Sequence, residues 1–571
     1  MNTQEKYNRW LESEFVDENL KKELRSMSKQ QIEEAFYKDL EFGTGGLRGI
    51  MGAGTNNMNT VVVKKATYGF GKYLLENDKD AATKGVVIAH DNRNNSDVFT
   101  LDAAKVLAAL GIKTYIFDAL RPTPELSFAI RYLKAAGGIV VTASHNPKEY
   151  NGYKIYNQDG CQLILEQSDK VLQKINEIED ELAIESKYDQ DLIVVLPKEV
   201  DEAYYQMVMD TRISTNIGEE NLKVIYSPQH GTGYVPVMEV LKRSKFNVID
   251  VKEQAYPSVT FENTITPNPE EKDAYNLAIE YAKKYNADLI ITTDPDCDRV
   301  GVVVFDKENN PIYMTGNQTG SILMDYILSA RKQKGKLADN SIVYNTIVTS
   351  PLGEKVANMH NVKCEQTLTG FKYIGDKIAK ALQNNGPVFQ MGYEESYGYL
   401  LNTHVRDKDG VQSVLLICEM AAYYKTLNMS LYEAFEKLQQ KLQYHVESQY
   451  SYKVSGSAGL AKISQLMEYL RYENMDYIAD EKVKTKEDYM SLQKVTADKV
   501  ETLDYEKSNV LRYVFDDNSF IAIRPSGTEP KCKFYFAFCG KTAKEANERH
   551  DKMKKFILSK IENGIWVLYN Q

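Results

Sequence analysis

Short apolar runs alternate with helical stretches along most of the chain beyond residue 40. The runs Val86–Ala89, Tyr115–Phe117 and Ile139–Val141 are separated by longer segments such as Val98–Leu110. Strands that alternate with helices in this way are typical of a mostly parallel sheet covered by helices. The pattern therefore predicts an α/β domain in the first part of the chain.

The same order of strand and helix occurs twice more. The further strands are predicted at Val224–Tyr226, Val248–Val251, Leu289–Thr292 and Val302–Phe305, and then at Ile342–Thr346 and Pro387–Met391. No close sequence repeat accompanies this pattern. The chain nevertheless predicts three successive domains built on the same plan.

The two ends of the chain follow other patterns. Ile32, Phe36 and Leu40 lie at i, i+4 and i+8, a narrow apolar stripe that predicts a helical extension packed on the first domain, without chemistry of its own. Residues 482–508 are rich in Lys, Glu and Asp, which favours solvated helix and loop. Strands at Phe520–Ile523 and Lys533–Phe538 then precede an amphipathic helix from Ala543 to about Ile561.

These patterns define the predicted domains. We expect a helical extension over 1–40, three similar mixed α/β domains with helix-covered sheets over 41–210, 211–318 and 319–445, and a C-terminal α+β domain over 446–571.

Charge limits the classes of partner. Lys and Arg total 70 against 80 Asp and Glu, a net charge of −10, and 43% of residues are hydrophobic. An acidic globular protein is a poor binder of nucleic acids and anionic membranes, so we expect neither. An anionic substrate requires a local cluster of Arg and Lys.

Cysteine usage and hydropathy indicate the compartment. The six cysteines form no CxxC pair and no regular framework, which favours free thiols in a reducing environment. The first residues lack the apolar run of a signal peptide, and no stretch approaches the roughly 20 apolar residues of a membrane span. We expect a cytoplasmic protein.

The first candidate site follows the predicted strand at Ile139–Val141. It reads Thr-Ala-Ser-His-Asn-Pro, with Ser144 at its centre and Pro147 at its end. Ligands of open α/β sheets lie at the carboxyl ends of strands, and a serine placed there can act as a nucleophile if a base or metal activates it. A plain turn stabilised by local hydrogen bonds is an equal alternative on these residues alone.

The second candidate is the run Asp294-Pro-Asp296-Cys-Asp298-Arg299, again after a strand. Carboxylates at i, i+2 and i+4 of an extended segment project to one side and can surround one cation. An oxygen-only set suits Mg²⁺, Mn²⁺ or Ca²⁺, while the alternative is a solvated acidic turn.

Two further loops contain polar groups suited to sugars and phosphates. Residues 392–398, Gly-Tyr-Glu-Glu-Ser-Tyr-Gly, offer carboxylates and hydroxyls, and residues 524–530, Arg-Pro-Ser-Gly-Thr-Glu-Pro, combine an arginine fork with hydroxyls and backbone N–H groups. Ordinary loops are the alternative for both. Cationic side chains also occur at Arg48, Arg406 and Lys408.

Taken together and in this order, the motifs resemble those of the α-D-phosphohexomutase family, from Gly43 to about Phe538. The opening Glu-Phe-Gly-Thr-Gly-Gly-Leu-Arg-Gly of residues 41–49 resembles a bacterial phosphoglucomutase/phosphomannomutase branch that is similar to animal phosphoglucomutase-2. The resemblance implies a four-domain, heart-shaped molecule, with one active-site loop from each domain.

It also implies roles for single residues. Ser144 matches the phosphoserine, and Asp294, Asp296 and Asp298 match ligands of Mg²⁺, with phospho-Ser144 as a further ligand. Lys154 matches the general acid/base. The other implied contacts are Arg48, His145, Asn146 and Arg299 around the transferring phosphoryl, Glu394 and Ser396 on the sugar, Arg524, Ser526, Gly527 and Thr528 on the non-reacting phosphate, and Lys408, Arg406 and Lys372 as lesser substrate contacts.

The chain departs from the family pattern at a few positions. Cys297 occupies a position that usually has Gly or Ala, and Phe371 one that is histidine in the dual phosphomannomutases. Tyr393 and Tyr397 are expected to make the sugar loop bulky, which bears on sugar preference.

The implied reaction interconverts glucose 1-phosphate and glucose 6-phosphate through phospho-Ser144 and bound glucose 1,6-bisphosphate, with mannose phosphates as further substrates. Phosphoryl transfer depends on positioning and charge stabilisation, for which these groups are suited. A phosphopentomutase, a phosphatase and a non-catalytic regulatory protein on the same fold are the alternatives. We expect a monomer or weak dimer, whose C-terminal domain closes as a lid that depends on Arg524.

Overall fold

The computed structural model describes residues 1–42, 46–184, 187–454, 459–473, 475–526 and 531–569, with side chains as far as Glu562. The N-terminal extension folds as three short helices: α1 (Thr3–Glu12), α2 (Glu18–Ser26) and α3 (Lys29–Phe36). Phe36 is buried in a small core with Trp10 and Val61. Leu40 lies beyond α3 and packs on Gly49, beside Arg48. The extension therefore supports the strand that carries Arg48.

The first sheet follows. Its domain contains β1 (Gly46–Ile50), α4 (Thr60–Asn77), α5 (Ala81–Lys84), β2 (Val86–His90), α6 (Ser96–Ala109), β3 (Thr114–Ile116), α7 (Thr123–Tyr132), β4 (Gly137–Val141), β5 (Tyr150–Asn157), α8 (Leu165–Asn176), β6 (Ile193–Val195) and α9 (Glu199–Met209). The strand order is β1-β5-β4-β2-β3-β6, with parallel pairing from β4 to β6. Strands β2 and β4 are adjacent, so the loops at their carboxyl ends meet.

The second and third sheets are smaller. The second domain contains β7 (Lys223–Ser227), α10 (Tyr234–Arg243), β8 (Asn247–Asp250), α11 (Asn276–Tyr285), β9 (Leu289–Thr293), β10 (Val300–Phe305) and β11 (Pro311–Met314). The third contains α12 (Gly316–Gln333), β12 (Ser341–Thr346), α13 (Pro351–Met359), β13 (Lys363–Thr367), α14 (Phe371–Gln383), β14 (Val388–Glu394), β15 (Gly398–Leu400), α15 (Gly410–Thr426) and α16 (Leu431–Leu442). Their strand orders are β11-β10-β9-β7-β8 and β13-β12-β14-β15.

A single apolar core joins the second and third domains. Val224 and Val240 of the second domain belong to the same buried cluster as Ile342 and Leu415 of the third. Helix α15 supplies Leu415 to this core. Its first residue, Gly410, donates from its N–H to Cys297 O at 3.0 Å, within the aspartate run. Because burying this surface stabilises both domains at once, we expect them to behave as one body.

The C-terminal domain is an antiparallel sheet with helices on one face. It contains β16 (Tyr444–Lys453), α17 (Gly459–Tyr472), β17 (Tyr477–Ile478), β18 (Glu481–Lys482), β19 (Thr485–Asp488), β20 (Gln493–Val495), β21 (Val500–Thr502), β22 (Leu511–Val514), β23 (Phe520–Pro525), β24 (Lys531–Gly540) and α18 (Ala543–Tyr569). The main sheet has the order β16-β24-β23-β22-β19-β20-β21. The predicted fold class, three mixed α/β domains and a C-terminal α+β domain, is confirmed.

The prediction for residues 482–508 was wrong. Instead of helix and loop, this charged segment forms the strands β19, β20 and β21, which complete one side of the main sheet with β21 at its edge. Lys494 pairs across the ladder with Glu487 on one side and Glu501 on the other. Opposite charges in cross-strand positions stabilise such a ladder, and exposed charges protect a sheet edge from further pairing.

Candidate active site

Ser144 lies in the loop after β4 with a left-handed backbone, φ 52°. Its side chain is buried, and its hydroxyl donates to Asp294 Oδ2 at 2.7 Å, across the interface between the first and second domains. The Ser144 backbone N–H donates to Thr142 Oγ1 at 2.8 Å. His145 Nδ1 lies 3.3 Å from Ser144 Oγ. The predicted nucleophile and the predicted metal loop are therefore in direct contact.

The three aspartates converge through a turn rather than along an extended segment. Cys297 N–H donates to Asp294 O at 2.9 Å, and Cys297 has φ 53°. Asp294 Oδ1 accepts from the backbone N–H groups of Asp298 and Arg299 at 3.1 and 3.0 Å. One ligand oxygen of each aspartate lies within 4.8 Å of the others, and all three side chains are buried. The three carboxylates come together as predicted, but through a turn, so the predicted extended geometry was wrong.

The carboxylates fit a cation with oxygen ligands. Within the part of the chain that the structure describes, Asp296 Oδ1 and Asp298 Oδ1 are buried and have no hydrogen-bond partner. Such atoms are costly unless something binds them. The donor set contains only oxygens, which suits Mg²⁺ better than zinc. The triad could therefore hold a metal ion.

Two lysines face the triad. Lys154, on β5, has its Nζ 2.8 Å from Asp296 Oδ2 and 3.6 Å from Asp298 Oδ2. Lys408 Nζ lies 2.9 Å from Asp298 Oδ2. Burial alone would lower the pKa of Lys154, but the two carboxylates outweigh it and hold that pKa above its ordinary value. Lys154 in this environment is a protonated group that can donate a proton.

The arginines predicted near the phosphoryl group lie around the same centre. Arg48 Nη1 donates to Asn146 Oδ1 at 3.1 Å, which links β1 to the serine loop. Arg299 Nη1 pairs with Glu270, and its Nε lies 3.9 Å from Asp298 Oδ1. Burial, and to a smaller degree the charge of Arg299, lower the pKa of His145 well below the ordinary value, so the imidazole is neutral.

The third domain supplies a carboxyl group from the end of β14. Glu394 is buried, and its Oε1 accepts from the Gly370 N–H at 2.8 Å. Burial raises the pKa of Glu394 to about 7, partly opposed by the charge of Lys408. Ser396 follows in the turn between β14 and β15 and is half-buried.

Tyr393 does not widen the sugar loop as predicted. Its side chain is fully buried in the core of the third domain, and Gly320 and Gly353 pack against its ring. Successive residues of a strand face opposite sides, so Tyr393 points inward where Glu394 points to the cleft. Of the two tyrosines, only Tyr397 lies in the turn itself.

Arg406, a predicted substrate contact, is buried between the first and third domains, where its backbone N–H donates to Ser127 Oγ at 2.9 Å. Its Nη1 donates to the Val405 carbonyl at 3.2 Å. Burial and the neighbouring Arg131 lower its pKa to about 10. These contacts join two domains, and the substrate contact of Arg406 stays a prediction.

The predicted phosphate loop begins at the end of β23 and is described as far as Ser526. Ser526 N–H donates to Lys531 O at 2.8 Å, which closes the base of the loop, whereas Gly527 and Thr528 lie outside the described residues. The pKa of Lys372, at the start of α14, is lowered to about 8, chiefly by burial, with the charge of Glu506 opposing the shift and that of Arg524 adding to it. Lys372 and Arg524 therefore form one cationic region between the third and fourth domains.

Three residues of this site escaped the sequence reasoning. Thr123, at the first turn of α7, donates from its hydroxyl and its N–H to Asp296 Oδ2 and Asp296 O, each at 3.0 Å. Arg93 binds the serine loop, where its Nη2 donates to Ser144 O at 2.6 Å. Burial lowers the pKa of Lys533 on β24. The charges of Glu270 and Arg299 also act on it, in opposite directions.

Signals for these residues were present in the chain. Asp91-Asn92-Arg93 follows a predicted strand directly, as the serine and aspartate loops do. The pair Thr123-Pro124 is a helix start. Lys533 alternates with the apolar Cys532 and Phe534 on a predicted strand. None of these short signals distinguishes a site residue from a structural one without the partner domain.

Comparison with known proteins identifies the family. Models of the phosphoglucomutase/phosphomannomutase family match in order: alpha/beta/alpha domain I over residues 39–182, domain II over 202–307, domain III over 315–442 and the C-terminal domain over 481–555. The chain belongs to this family of enzymes, as the motifs predicted. The predicted boundaries at 210, 318 and 445 stay predictions.

Relatives span nearly the whole chain. A phosphoglucomutase of Staphylococcus epidermidis is 37% identical over 92% of this chain and 96% of its own length. One of Staphylococcus aureus is 37% identical over 88% of this chain and 90% of its own. Parafusin, a phosphoglucomutase from Paramecium, has the same fold with a TM-score of 0.66 at 18% identity, over 92% of this chain and 96% of that one. No helix in the described ranges is long and apolar enough to cross a membrane.

Proposed function

We propose that this protein interconverts glucose 1-phosphate and glucose 6-phosphate, and processes mannose phosphates less well. The observation that carries the proposal is the contact of Ser144 Oγ with Asp294 Oδ2, at 2.7 Å, beside a buried triad of carboxylates. A serine on one domain and a carboxylate cluster on the next form a site for phosphoryl transfer, which requires a nucleophile next to a centre of charge stabilisation. The names of the 37% identical relatives support the sugar.

In this proposal Ser144 carries the transferable phosphoryl group. Asp294, Asp296 and Asp298 would hold Mg²⁺, which supplies positive charge that stabilises the transferring phosphoryl. Lys154 and Arg299 add fixed positive charge on either side of the triad. Lys154 can receive the proton of the sugar hydroxyl that phospho-Ser144 phosphorylates, and can then donate it to the sugar oxygen that returns its phosphoryl group to Ser144.

The remaining residues bind and orient the sugar phosphate. Glu394 and Ser396 would bind sugar hydroxyls, since the carboxylate accepts and the hydroxyl both donates and accepts. Arg524, Ser526, Gly527 and Thr528 would bind the phosphate that does not react, with Lys372 nearby. His145, Asn146, Arg48 and Lys408 complete the cleft, and glucose 1,6-bisphosphate is the bound intermediate that both transfers share.

The proposal extends to the setting of the enzyme. The net charge of −10 and the free cysteines are consistent with a cytoplasmic protein that binds neither nucleic acid nor membrane, as a monomer or weak dimer. Pentose 1-phosphates are the competing substrates. A non-catalytic role is disfavoured because the serine, the lysine and all three aspartates are present and in contact.

The role of Ser144 can be tested by mass and by rate. Purified protein incubated with glucose 1,6-bisphosphate is expected to gain one phosphate, and Ser144→Ala is expected to lose both this adduct and at least about 10⁴ of kcat. Ser168→Ala is a matched control, since this serine is also buried but lies on α8, outside the serine loop. Assays with glucose, mannose and ribose 1-phosphates at equal concentrations rank the substrates. An adduct on another residue, or a faster rate on ribose 1-phosphate, contradicts the proposal.

The metal site is tested on the triad. Asp296→Asn keeps the shape of the side chain but removes one charge, so we expect Mg²⁺ affinity to fall at least about tenfold and kcat about 10³-fold. Titration calorimetry with Mg²⁺ alone measures the affinity without the reaction. Unchanged Mg²⁺ binding in Asp296→Asn would place the metal elsewhere.

A further inference from the structure

Arg93 is a buried arginine to which the reaction proposed above assigns no role. Its side chain has no exposed surface, and its two terminal nitrogens donate to four backbone carbonyls. Nη1 donates to Pro147 O at 2.8 Å and Tyr150 O at 2.9 Å, while Nη2 donates to Ser144 O at 2.6 Å and Asn146 O at 2.5 Å. Three of these carbonyls belong to the loop that carries the proposed nucleophile, and the fourth belongs to the first residue of β5, where that loop ends.

Arg93 is itself held in place. Its Nε lies 3.2 Å from Asp91 Oδ2, and Asp91 Oδ1 accepts from the Arg93 N–H and from Ser96 Oγ at 2.9 Å each. A buried guanidinium needs such a counter-ion, because an unpaired buried charge is strongly unfavourable. Its planar fork can satisfy several acceptors in fixed directions, which the single ammonium of a lysine cannot do.

The same segment also binds the second domain. The Phe261 ring lies 5.3 Å from the Arg93 guanidinium, and Asn92 Nδ2 donates to Ser258 O at 2.7 Å. Ser258 and Phe261 belong to the loop between β8 and α11, which also contains Glu270, the partner of Arg299. The side chains of residues 91–93 thus contact the serine loop on one side and the loop that supports the triad's arginine on the other.

We propose that Arg93 is a positioning residue, which fixes the left-handed backbone of Ser144. Through Phe261 it also fixes the position of the serine loop relative to the three aspartates. This inference rests on the proposed role of Ser144. The Ser144 Oγ and the Asp294 carboxylate belong to different domains, so their 2.7 Å contact depends on the relative position of two loops. A misplacement of about 1 Å at a reacting group can lower a rate about 10²-fold.

The test compares Arg93→Lys with Arg212→Lys. Arg212 is a matched control, because it also is largely buried, pairs with carboxylates (Glu219 and Glu419) and lies 5.8 Å from an aromatic ring, but in the second domain away from Ser144. We expect Arg93→Lys to lower kcat and the rate of phosphate uptake from glucose 1,6-bisphosphate about 100-fold, with KM changed less than threefold. The two substitutions are expected to lower the melting temperature by similar amounts. Arg212→Lys, however, is expected to change kcat less than threefold.

Phe261→Leu keeps the test informative if Arg93→Lys folds poorly. We expect it to lower kcat about tenfold alone, and to have almost no further effect in the Arg93→Lys background, because both changes act through one contact. Equal kcat losses in Arg93→Lys and Arg212→Lys, or a normal kcat in Phe261→Leu, would overturn the inference. If Ser144→Ala instead retains its activity, the proposed function fails first, and the two failures are thereby distinguished.

Discussion

Ser144 and Cys297 both have left-handed backbones, at φ 52° and 53°, although neither is a glycine. Such conformations cost roughly 1–3 kcal/mol and persist where surrounding contacts over-determine them. At Ser144 those contacts come from Thr142 and Arg93. Glycine would adopt this backbone more easily but has no hydroxyl, so the serine is explained by chemistry and not by folding.

At the residue scale, the raised pKa of Glu394 predicts a pH dependence. The carboxylate that would accept from sugar hydroxyls predominates only above pH 7, so kcat/KM is expected to fall about tenfold per unit as the pH drops below about 7. Glu394→Gln is expected to lack this dependence. The ionisation of the substrate phosphate near pH 6 remains in both proteins and serves as an internal control.

The same group predicts the direction of a stability change. Because burial raises the pKa of Glu394 from 4.5 to about 7, the folded state binds its proton more tightly than the unfolded state does. Stability is therefore lost as the pH rises from about 4.5 to about 7. Glu394→Gln is expected to increase the free energy of unfolding at pH 8, by at most about 3 kcal/mol, and equal stability of the two proteins at pH 8 contradicts this.

At the element scale, Gln443 joins α16 to β16, where the chain crosses from the third domain into the fourth. Its backbone has φ 77° and ψ 157°, a region that glycine alone adopts readily. Its side-chain Oε1 accepts from Lys355 Nζ at 2.8 Å, which pins the crossing to α13. The crossing residue is therefore strained and is held through its Oε1, which also accepts from Cys539 Sγ at 3.7 Å.

This conformation predicts an inverted order of two substitutions. Gln443→Ala and Gln443→Gly both lose the contact with Lys355, but only glycine relieves the backbone. We expect Gln443→Gly to be more stable than Gln443→Ala by about 1–2 kcal/mol, although alanine is usually the more stabilising residue. Urea unfolding of the full chain measures the difference. If Gln443→Ala is as stable as Gln443→Gly, or more stable, the backbone at this position is not strained.

The sequence predicted elements well where periodicity was strong and failed where geometry depends on neighbours. The strands at Val86 and Leu289 began where predicted, since buried parallel strands are continuous apolar runs. The ladder of β19 to β21 was missed because its residues are largely charged, and because their pairing partners lie on neighbouring strands, β22 among them. The turn at Asp294–Asp298 and the inward direction of Tyr393 likewise depend on contacts that no short segment contains.

At the scale of the whole molecule, the fourth domain is attached through an apolar interface. Ile347, Val348 and Leu368 of the third domain are buried with Tyr489 and Tyr535 of the fourth. Beside this interface, Tyr505 OH donates to Gln366 O at 3.2 Å. The domain is thus docked in the described structure, with Lys533 close to the charges of the cleft.

Whether Arg524 drives closure of this domain is a kinetic question. If its contact with the non-reacting phosphate orients the domain, Arg524→Ala is expected to raise KM at least tenfold and also to lower kcat at least tenfold. Arg471→Ala is the control, because Arg471 pairs with Asp488 on the outer part of the same domain. An unchanged kcat at saturating substrate would leave Arg524 with an affinity role only, and the lid prediction would be wrong.

The buried thiol of Cys297 has a consequence for the durability of the enzyme. It has no exposed surface, a Cβ on Gly410 would lie 3.0 Å from its sulfur, and burial raises its pKa well above the ordinary value. Oxidants and alkylating reagents attack exposed thiolates, so a thiol with neither property ages slowly. Oxidation of Cys297 in air should then follow the rate at which the second and third domains separate locally. The time course of Cys297 labelling measures that rate.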